Sequence, residues 1–156
     1  MSDPAPRLRG RGALLLLPFL LAACVAGTKP YTGSGPANLT VAPADVTRHL
    51  FRRTETDFSV FPEEARCKWV YAGTIAPGTG PQRYALPVGK RVSISLFFTD
   101  HYGRGTEMSR ISQVLTVRPG AQYRIAMAYD GKAPDFTISE NGRALDLPSH
   151  PADCGG

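Results

Sequence analysis

The sequence predicts an all-β domain, a small antiparallel β-sandwich that follows an N-terminal leader and a flexible tether. Apolar and polar residues alternate in short runs, and Gly or Pro separates one run from the next. Two of these runs follow the same design, and an Asn-Gly pair marks a tight turn near the C-terminus. Short strands joined by Gly and Pro turns, with little helical periodicity, are typical of a sandwich or a small barrel.

The two similar runs begin at Gly89 and at Gly120, and in both the apolar residues follow the glycine at every second position. These apolar residues are Val92, Ile94, Leu96 and Phe98 in the first unit and Tyr123, Ile125, Met127 and Tyr129 in the second. Because side chains alternate across a strand, they predict one core-facing side per unit, and Ser93, Ser95 and Phe97 then face outward. We expect each unit to be a β-hairpin, with one strand before the glycine turn and one after it.

Three further runs predict strands, and prolines mark two of their ends. Residues 39–41 form a short strand that Pro43 ends, and residues 57–61 form another that Pro62 ends. In residues 68–75, the side with the aromatic residues is the better core face, because aromatic rings have the most area to bury. That side consists of Trp69, Tyr71, Gly73 and Ile75.

The segment 45–53 fits two structures. A helix with Asp45 as its N-cap would place Val46, Leu50 and Arg53 on one face. A strand followed by a turn fits nearly as well. The segment is too short for its apolar spacing to decide, so both structures remain open.

Near the C-terminus, Asn141-Gly142 separates one pair of alternating apolar residues from another. The pairs are Phe136 and Ile138 before the turn and Leu145 and Leu147 after it. Both central residues of a type I′ turn need positive φ, so Asn-Gly predicts a two-residue hairpin. The whole strand pattern from 37 to 147 resembles the small immunoglobulin-like or transthyretin-like modules of bacterial envelopes, which implies a β-sandwich of that kind.

An export signal occupies the N-terminus. Its basic residues are Arg7, Arg9 and Arg11. They precede an apolar stretch, and a helix over residues 13–23 would span roughly 16 Å at the usual rise per residue. A bilayer core is about 30 Å thick, so this stretch is too short for a permanent transmembrane helix.

The apolar stretch ends in Leu21-Ala22-Ala23-Cys24, which resembles the lipobox of bacterial lipoproteins. The resemblance implies cleavage before Cys24, a diacylglyceryl thioether on its sulfur, acylation of the new N-terminus, and membrane attachment through this lipid. The alternative is an ordinary signal peptide cut after Ala23, which leaves Cys24 as a free thiol. Val25 is not the Asp that the lipoprotein family uses for retention in the inner membrane. By resemblance, this implies the outer membrane and a domain that faces the periplasm.

The predicted organisation has three parts: the signal peptide at 1–23, lipidated Cys24 with a tether at 24–37, and the β-sandwich at 38–156. The tether is rich in Gly, Pro, Ser and Thr, so it cannot bury enough apolar surface to fold. As a flexible chain it would reach on the order of 20 Å. The domain is therefore expected close to the membrane surface, within the bacterial cell envelope.

The net charge gives little support for a nucleic-acid partner. The chain has 18 Lys and Arg against 13 Asp and Glu, a net charge of +5. The signal peptide contains three of the Arg and one Asp, and removing them leaves 15 basic and 12 acidic residues, a net charge of +3. The remaining basic residues are scattered along the chain, so we expect no nucleic-acid partner.

The cysteine count fits an exported protein. With Cys24 lipidated, Cys67 and Cys154 remain as an even pair in an oxidising compartment, which predicts a disulfide between them. The bridge would hold a C-terminal tail that has little else to anchor it. A metal-binding pair is the alternative, but neither cysteine belongs to a CxxC motif or lies beside a histidine. We expect no metal and no cofactor.

The sequence contains no recognisable catalytic motif. The three histidines, His49, His101 and His150, lie in separate segments without ligand spacing, and there is no nucleophile elbow and no P-loop. The segment 99–110 is predicted as a loop between the two repeated units. Its polar and aromatic residues are Asp100, His101, Tyr102, Arg104, Glu107 and Arg110. Since Tyr and Arg often dominate interface energies, this segment is either a contact loop or a solvated connection.

These features together predict a membrane-anchored, non-enzymatic module with a binding, adaptor or structural role and an envelope protein as its partner. Two alternatives remain open: a hydrolase or other enzyme with a site built across loops, and a small inhibitor that blocks an envelope enzyme through 99–110. An enzyme would bring acid, base or metal ligands together in a cleft. The position of His101 relative to a carboxylate and a nucleophile therefore distinguishes these classes.

Overall fold

The computed structural model describes residues 28–46, 52–149 and 154, and this part of the chain is built from strands. The strands are β1 (Leu39–Val41), β2 (Asp45–Val46), β3 (Arg52–Ala65), β4 (Lys68–Trp69), β5 (Gly73–Ile75), β6 (Gln82–Tyr84), β7 (Arg91–Tyr102), β8 (Gly105–Thr116), β9 (Tyr123–Tyr129), β10 (Pro134–Glu140) and β11 (Arg143–Ala144). Within these residues there is no helix long and apolar enough to cross a membrane. The predicted all-β, sandwich-like fold is confirmed.

The strands form two sheets that enclose one core. In the first sheet the order is β4-β3-β7-β8, with β5 also paired to β3, and all of its pairings are antiparallel. In the second sheet the order is β11-β10-β9-β1-β6, with β2 also paired to β9. This second sheet includes two parallel pairings, because β1 and β2 both run alongside β9 in the same direction.

Both predicted core faces are confirmed. Alternate residues of β7 and of β9 are buried, from Val92 to Phe98 and from Tyr123 to Tyr129, and none of these eight side chains is more than 4% exposed. Rings from opposite sheets meet in the core, with Phe98 and Tyr129 centred 4.5 Å apart. Each fully buried large side chain contributes roughly 1.5–3 kcal/mol, so these two faces account for much of the folding free energy.

The two repeated units are not β-hairpins, and this prediction is wrong. The turn at Gly89 joins β6 of the second sheet to β7 of the first, and the turn at Gly120 joins β8 of the first sheet to β9 of the second. The backbone N–H of Gly89 donates to the carbonyl of Val117 at 2.8 Å, and the N–H of Val117 donates to Lys90 at 2.9 Å. Both repeats therefore begin where the chain crosses between sheets, at the same end of the sandwich.

Two predictions about strands of the first sheet are also wrong. Pro62 does not end its strand: β3 continues to Ala65, and the Pro62 carbonyl accepts a hydrogen bond from Val70 on the side of β3 away from β7. Residues 68–75 are not one regular strand: β4 ends at Trp69 and β5 begins at Gly73, although the N–H groups of Val70 and Ala72 between them still donate to β3. Tyr71 lies in this break and is 40% exposed, so it is not a core residue.

Two turn segments have different outcomes. Asn141 and Gly142 both have positive φ, 49° and 84°, and they connect β10 to β11 as the predicted two-residue hairpin. For the segment 45–53, both described ends are strands, since residues 45–46 form β2 and β3 begins at Arg52. The middle of that segment lies outside the described residues.

The packed chain begins before the predicted domain boundary at residue 38. Tyr31 is only 6% exposed, and its hydroxyl donates to the carbonyl of Ala85 at 2.7 Å. Its backbone N–H donates to Thr74, and the N–H of Thr74 donates to Lys29. A Cβ on Gly73 would lie 2.6 Å from the Cα of Tyr31, so this close approach requires glycine. Residues 29–31 of the predicted tether are therefore bonded to the edge of the first sheet.

Candidate functional site

The segment 99–110 is a β-hairpin and not a loop. β7 and β8 pair without interruption from Arg91 opposite Thr116 to Tyr102 opposite Gly105. The tip is therefore two residues long, and Gly103 has the positive φ, 54°, that such a turn needs. The segment is regular because its two strands pair with each other. It is polar because one edge and the tip of the hairpin face solvent.

The structure divides the six candidate residues of this segment into two groups. Asp100 is 1% exposed and accepts a hydrogen bond from the hydroxyl of Tyr129 at 2.7 Å, so it faces the interior. The other five lie at the surface: His101, Tyr102, Arg104, Glu107 and Arg110. Asp100 joins the base of the hairpin to the end of β9, whereas Tyr102, Arg104 and Glu107 are exposed at its far end.

His101 does not form a catalytic group with its neighbours. Its Nδ1 lies 3.2 Å from the hydroxyl of Thr106, across the hairpin on the outer face of the sheet. Asp100 points to the opposite side, because successive side chains of a strand alternate. His49 and His150 lie outside the described residues. Within the described hairpin, then, the histidine and the buried carboxylate do not share a site.

A shallow groove of about 300 Å³ lies on the outer face of the first sheet. Its lining residues are Thr28, Asp57, Ser59, Tyr71, Thr74 and Phe97. The Tyr71 and Thr74 hydroxyls are hydrogen-bonded at 2.7 Å, and the Thr74 and Ser59 hydroxyls at 3.1 Å. We name this feature the Phe97 groove; the hydroxyls of Ser59, Tyr71 and Thr74 are bonded to one another, and the rings of Tyr71 and Phe97 form two of its walls.

Phe97 faces outward, as predicted, and is 39% exposed. It lies opposite Asp57 on β3 and opposite Arg110 on β8. The Arg110 guanidinium is 5.1 Å from the centre of its ring, within the range of a cation–π contact. Met108, two residues along β8, is 79% exposed. The groove therefore continues into an apolar area with a cation at its border.

Asp57 is the acidic group of the groove. Burial raises the pKa of its carboxyl above the usual range, and the nearby Glu55 carboxylate raises this pKa further. Glu55 is in turn paired with Arg53 at 2.9 Å. A folded-state pKa above the unfolded-state value means that ionised Asp57 destabilises the fold at neutral pH, and that this cost disappears once the group is protonated in both states.

We therefore expect Asp57→Asn to raise the free energy of unfolding at pH 7, where the wild-type carboxyl is charged. The gain should vanish near pH 3, below the usual Asp pKa of about 3.9. Urea denaturation at both pH values measures this. Asp135→Asn, at an exposed carboxylate of β10, is the matched control and should change less. A loss of stability at pH 7 on Asp57→Asn would show that the carboxylate makes a favourable contact.

The described chain starts at the rim of this groove. Thr28 lines it, and the carbonyl of Lys29 accepts hydrogen bonds from the backbone N–H of Thr74 and, at 3.4 Å, from the hydroxyl of Tyr71. Cys24 itself lies outside the described residues. Cys24 precedes Thr28 by four residues in the sequence, and four residues of extended chain span at most about 14 Å.

Cys67 and Cys154 form a disulfide, with their Cα atoms 5.4 Å apart. An oxygen of Glu63 lies within 4.8 Å of both sulfurs, and sulfurs that are bonded to each other offer no thiolate to a metal ion. Arg91 bonds Glu63 through its Nε at 2.6 Å and lies over the ring of Trp69. The bridge is therefore a structural link between the end of β3 and the C-terminal residues.

Comparisons with protein-family models, with curated proteins and with solved structures found no match to this chain. None of the candidate site residues predicted from the sequence lines the Phe97 groove. The sequence predicts an outward position for Phe97 and a core position for Tyr71, and it assigns no role to Thr28, Asp57, Ser59 or Thr74. Alternation within residues 57–61 places Asp57 and Ser59 outward, but no local signal brings Thr28 and Tyr71 beside them.

Proposed function

We propose that this protein is a bacterial envelope lipoprotein whose β-sandwich is a non-enzymatic binding module, held at the membrane by lipid on Cys24. The observation that carries the proposal is the start of the packed chain. Lys29 and Tyr31 are hydrogen-bonded to the edge of the first sheet only a few residues after the lipobox-like sequence. A lipid on Cys24 would hold the sandwich directly at the bilayer surface, in the outer membrane and facing the periplasm.

Two further features support an exported module. The Cys67–Cys154 disulfide is the kind of bond that persists in an oxidising compartment. The hairpin formed by β7 and β8 offers a contact element for an envelope protein, because Tyr102 is 42% exposed and Arg104 is exposed at the tip. Tyr and Arg are enriched among residues that dominate binding energy, and the Asp100–Tyr129 bond holds the base of the hairpin in place.

The same hairpin also supports the inhibitor alternative. Its tip is narrow, with two residues between paired strands, and a bond to the second sheet orders its base. An element that is rigid before binding loses little entropy when it enters a partner's cleft. In both cases the partner is a protein of the envelope and the contact is made by Tyr102 and its neighbours.

We expect Cys24→Ser to abolish membrane attachment, because the sulfur is the proposed lipid acceptor. In cells that export the protein and are fed a labelled fatty acid, the variant should lose the label and leave the membrane fraction. The double variant Cys67→Ser/Cys154→Ser is the control, since it loses the other two cysteines but keeps Cys24 and should keep label and membrane location. Continued labelling of Cys24→Ser would refute the anchor.

A photocrosslinking residue introduced at Tyr102 in the same cells tests the binding role. A specific adduct with an envelope protein should form from this position, identified by mass spectrometry. The same residue at Ala128, an exposed position on the outer face of the second sheet, serves as the control and should give no such adduct. Equal adducts from both positions would argue against a hairpin-specific contact.

A further inference from the structure

Large exposed apolar side chains are concentrated on one face of the sandwich. Among the described residues there are five of them, and three lie on the outer face of the first sheet: Tyr71, Phe97 and Met108. Tyr71 lies in the break between β4 and β5, Phe97 on β7 and Met108 on β8, so together they form a strip across the sheet. An exposed apolar strip of this kind marks a surface that contacts a protein, a ligand or a membrane.

We propose that this strip lies against the lipid bilayer, with Tyr71, Phe97 and Met108 at the level of the headgroups. The inference rests on the proposed lipid on Cys24, and it adds the orientation of the domain. The first sheet faces the membrane, and the second sheet faces away from it into the envelope space.

The length of chain between Cys24 and the groove favours this orientation. Thr28 lines the Phe97 groove, and a lipid-bearing sulfur four residues earlier keeps the groove within about 14 Å of the headgroups. The sheets of a sandwich are about 10 Å apart, and side chains on both outer faces add to that thickness. So short a tether would have to pass round the whole sandwich to bring the second sheet to the membrane.

The chemistry of the strip suits the membrane interface. Amphipathic aromatic rings are enriched where hydrocarbon meets headgroups, and an Arg can cover an apolar surface while its charge stays among the phosphates. Tyr71, Phe97 and the overlying Arg110 have this arrangement. The groove hydroxyls of Ser59, Thr74 and Tyr71 are already bonded to one another, so displacing water from them costs little, whereas the Asp57 carboxylate must stay in contact with headgroups or water.

The outer face of the second sheet is the competing surface, because it contains two arginines in one row. Arg83 and Arg124 lie on either side of Thr40 across three strands, whereas Asp45 and Asp135 lie on either side of Ala128 further along the same face. Anionic headgroups attract such arginines. The two orientations therefore differ in one measurable respect, namely which face of the sandwich approaches the acyl chains.

The test uses the full lipidated protein, purified from the envelope and placed in vesicles of phosphatidylethanolamine and phosphatidylglycerol. The vesicle lipids have bromine near the headgroup end of their acyl chains, which quenches nearby tryptophan. Trp69→Phe removes the one native Trp. In that background Phe97→Trp reports on the first sheet, Met108→Trp is a second reporter on the same face, and Ala128→Trp is the control on the opposite face.

We expect the Phe97→Trp and Met108→Trp proteins to lose most of their emission in brominated vesicles, and the Ala128→Trp protein to keep its emission. Flotation with the vesicles is measured for each variant. Proteins that float without quenching of either first-sheet reporter would overturn the orientation and leave the anchor standing. Quenching of Ala128→Trp alone would overturn it in favour of the outer face of the second sheet. Proteins that do not float would refute the anchor, and the orientation with it.

Discussion

Ile94→Asp is expected to leave the domain unfolded at room temperature. Ile94 has no exposed surface and lies on β7 opposite Val60 of β3. Removing a buried Ile side chain costs about 2–5 kcal/mol, and an ionised carboxylate without a partner in its place costs several more. Since whole domains are stable by only about 5–15 kcal/mol, this one substitution is comparable to the total.

Phe97→Asp is the matched control, three residues along the same strand. Phe97 faces solvent, and a carboxylate there would lie between Asp57 on one neighbouring strand and Arg110 on the other. The repulsion from Asp57 is offset by attraction to Arg110, so we expect a small loss of stability. Thermal unfolding by circular dichroism compares the two variants. The inward face of β7 would be wrongly assigned if Phe97→Asp were the more destabilising change.

Removing the disulfide is expected to have the second-largest effect on stability. The two cysteines are 87 residues apart in sequence. Loop-closure entropy for a ring of that size corresponds to about 4–5 kcal/mol at room temperature. Cys67→Ser/Cys154→Ser should therefore lower the free energy of unfolding by about this amount, measured by urea denaturation.

The reduced wild-type protein is the control for this change. It lacks the bond but keeps the sulfur atoms, so its urea transition should coincide with that of the double variant. If neither reduction nor substitution shifts the midpoint of the urea transition, the disulfide adds little constraint to the unfolded chain. The disulfide itself is tested by non-reducing mass spectrometry of the exported protein. We expect to find Cys67 linked to Cys154.

The features that the sequence predicts correctly depend on neighbouring residues. Val92 and Ile94 face the core because side chains alternate along any strand, whichever strand lies beside it. The Asn141-Gly142 turn forms because those two residues tolerate positive φ locally. The pairing of Cys67 with Cys154 is the exception, since it spans 87 residues and is predicted from the even number of cysteines that remain once Cys24 is set apart.

The partners of each strand are decided only by the tertiary structure. The turns at Gly89 and Gly120 resemble hairpin turns in sequence, yet each crosses between sheets. Period-two alternation predicts which side of a strand is buried, but it does not predict which strand is adjacent. Tyr31 is buried within a segment whose composition is that of a linker, since Gly73 allows the chain to approach β5 closely. The Phe97 groove has the same origin: Thr28, Asp57 and Tyr71 meet there through pairings between distant segments, and such pairings leave no periodic signal in the sequence.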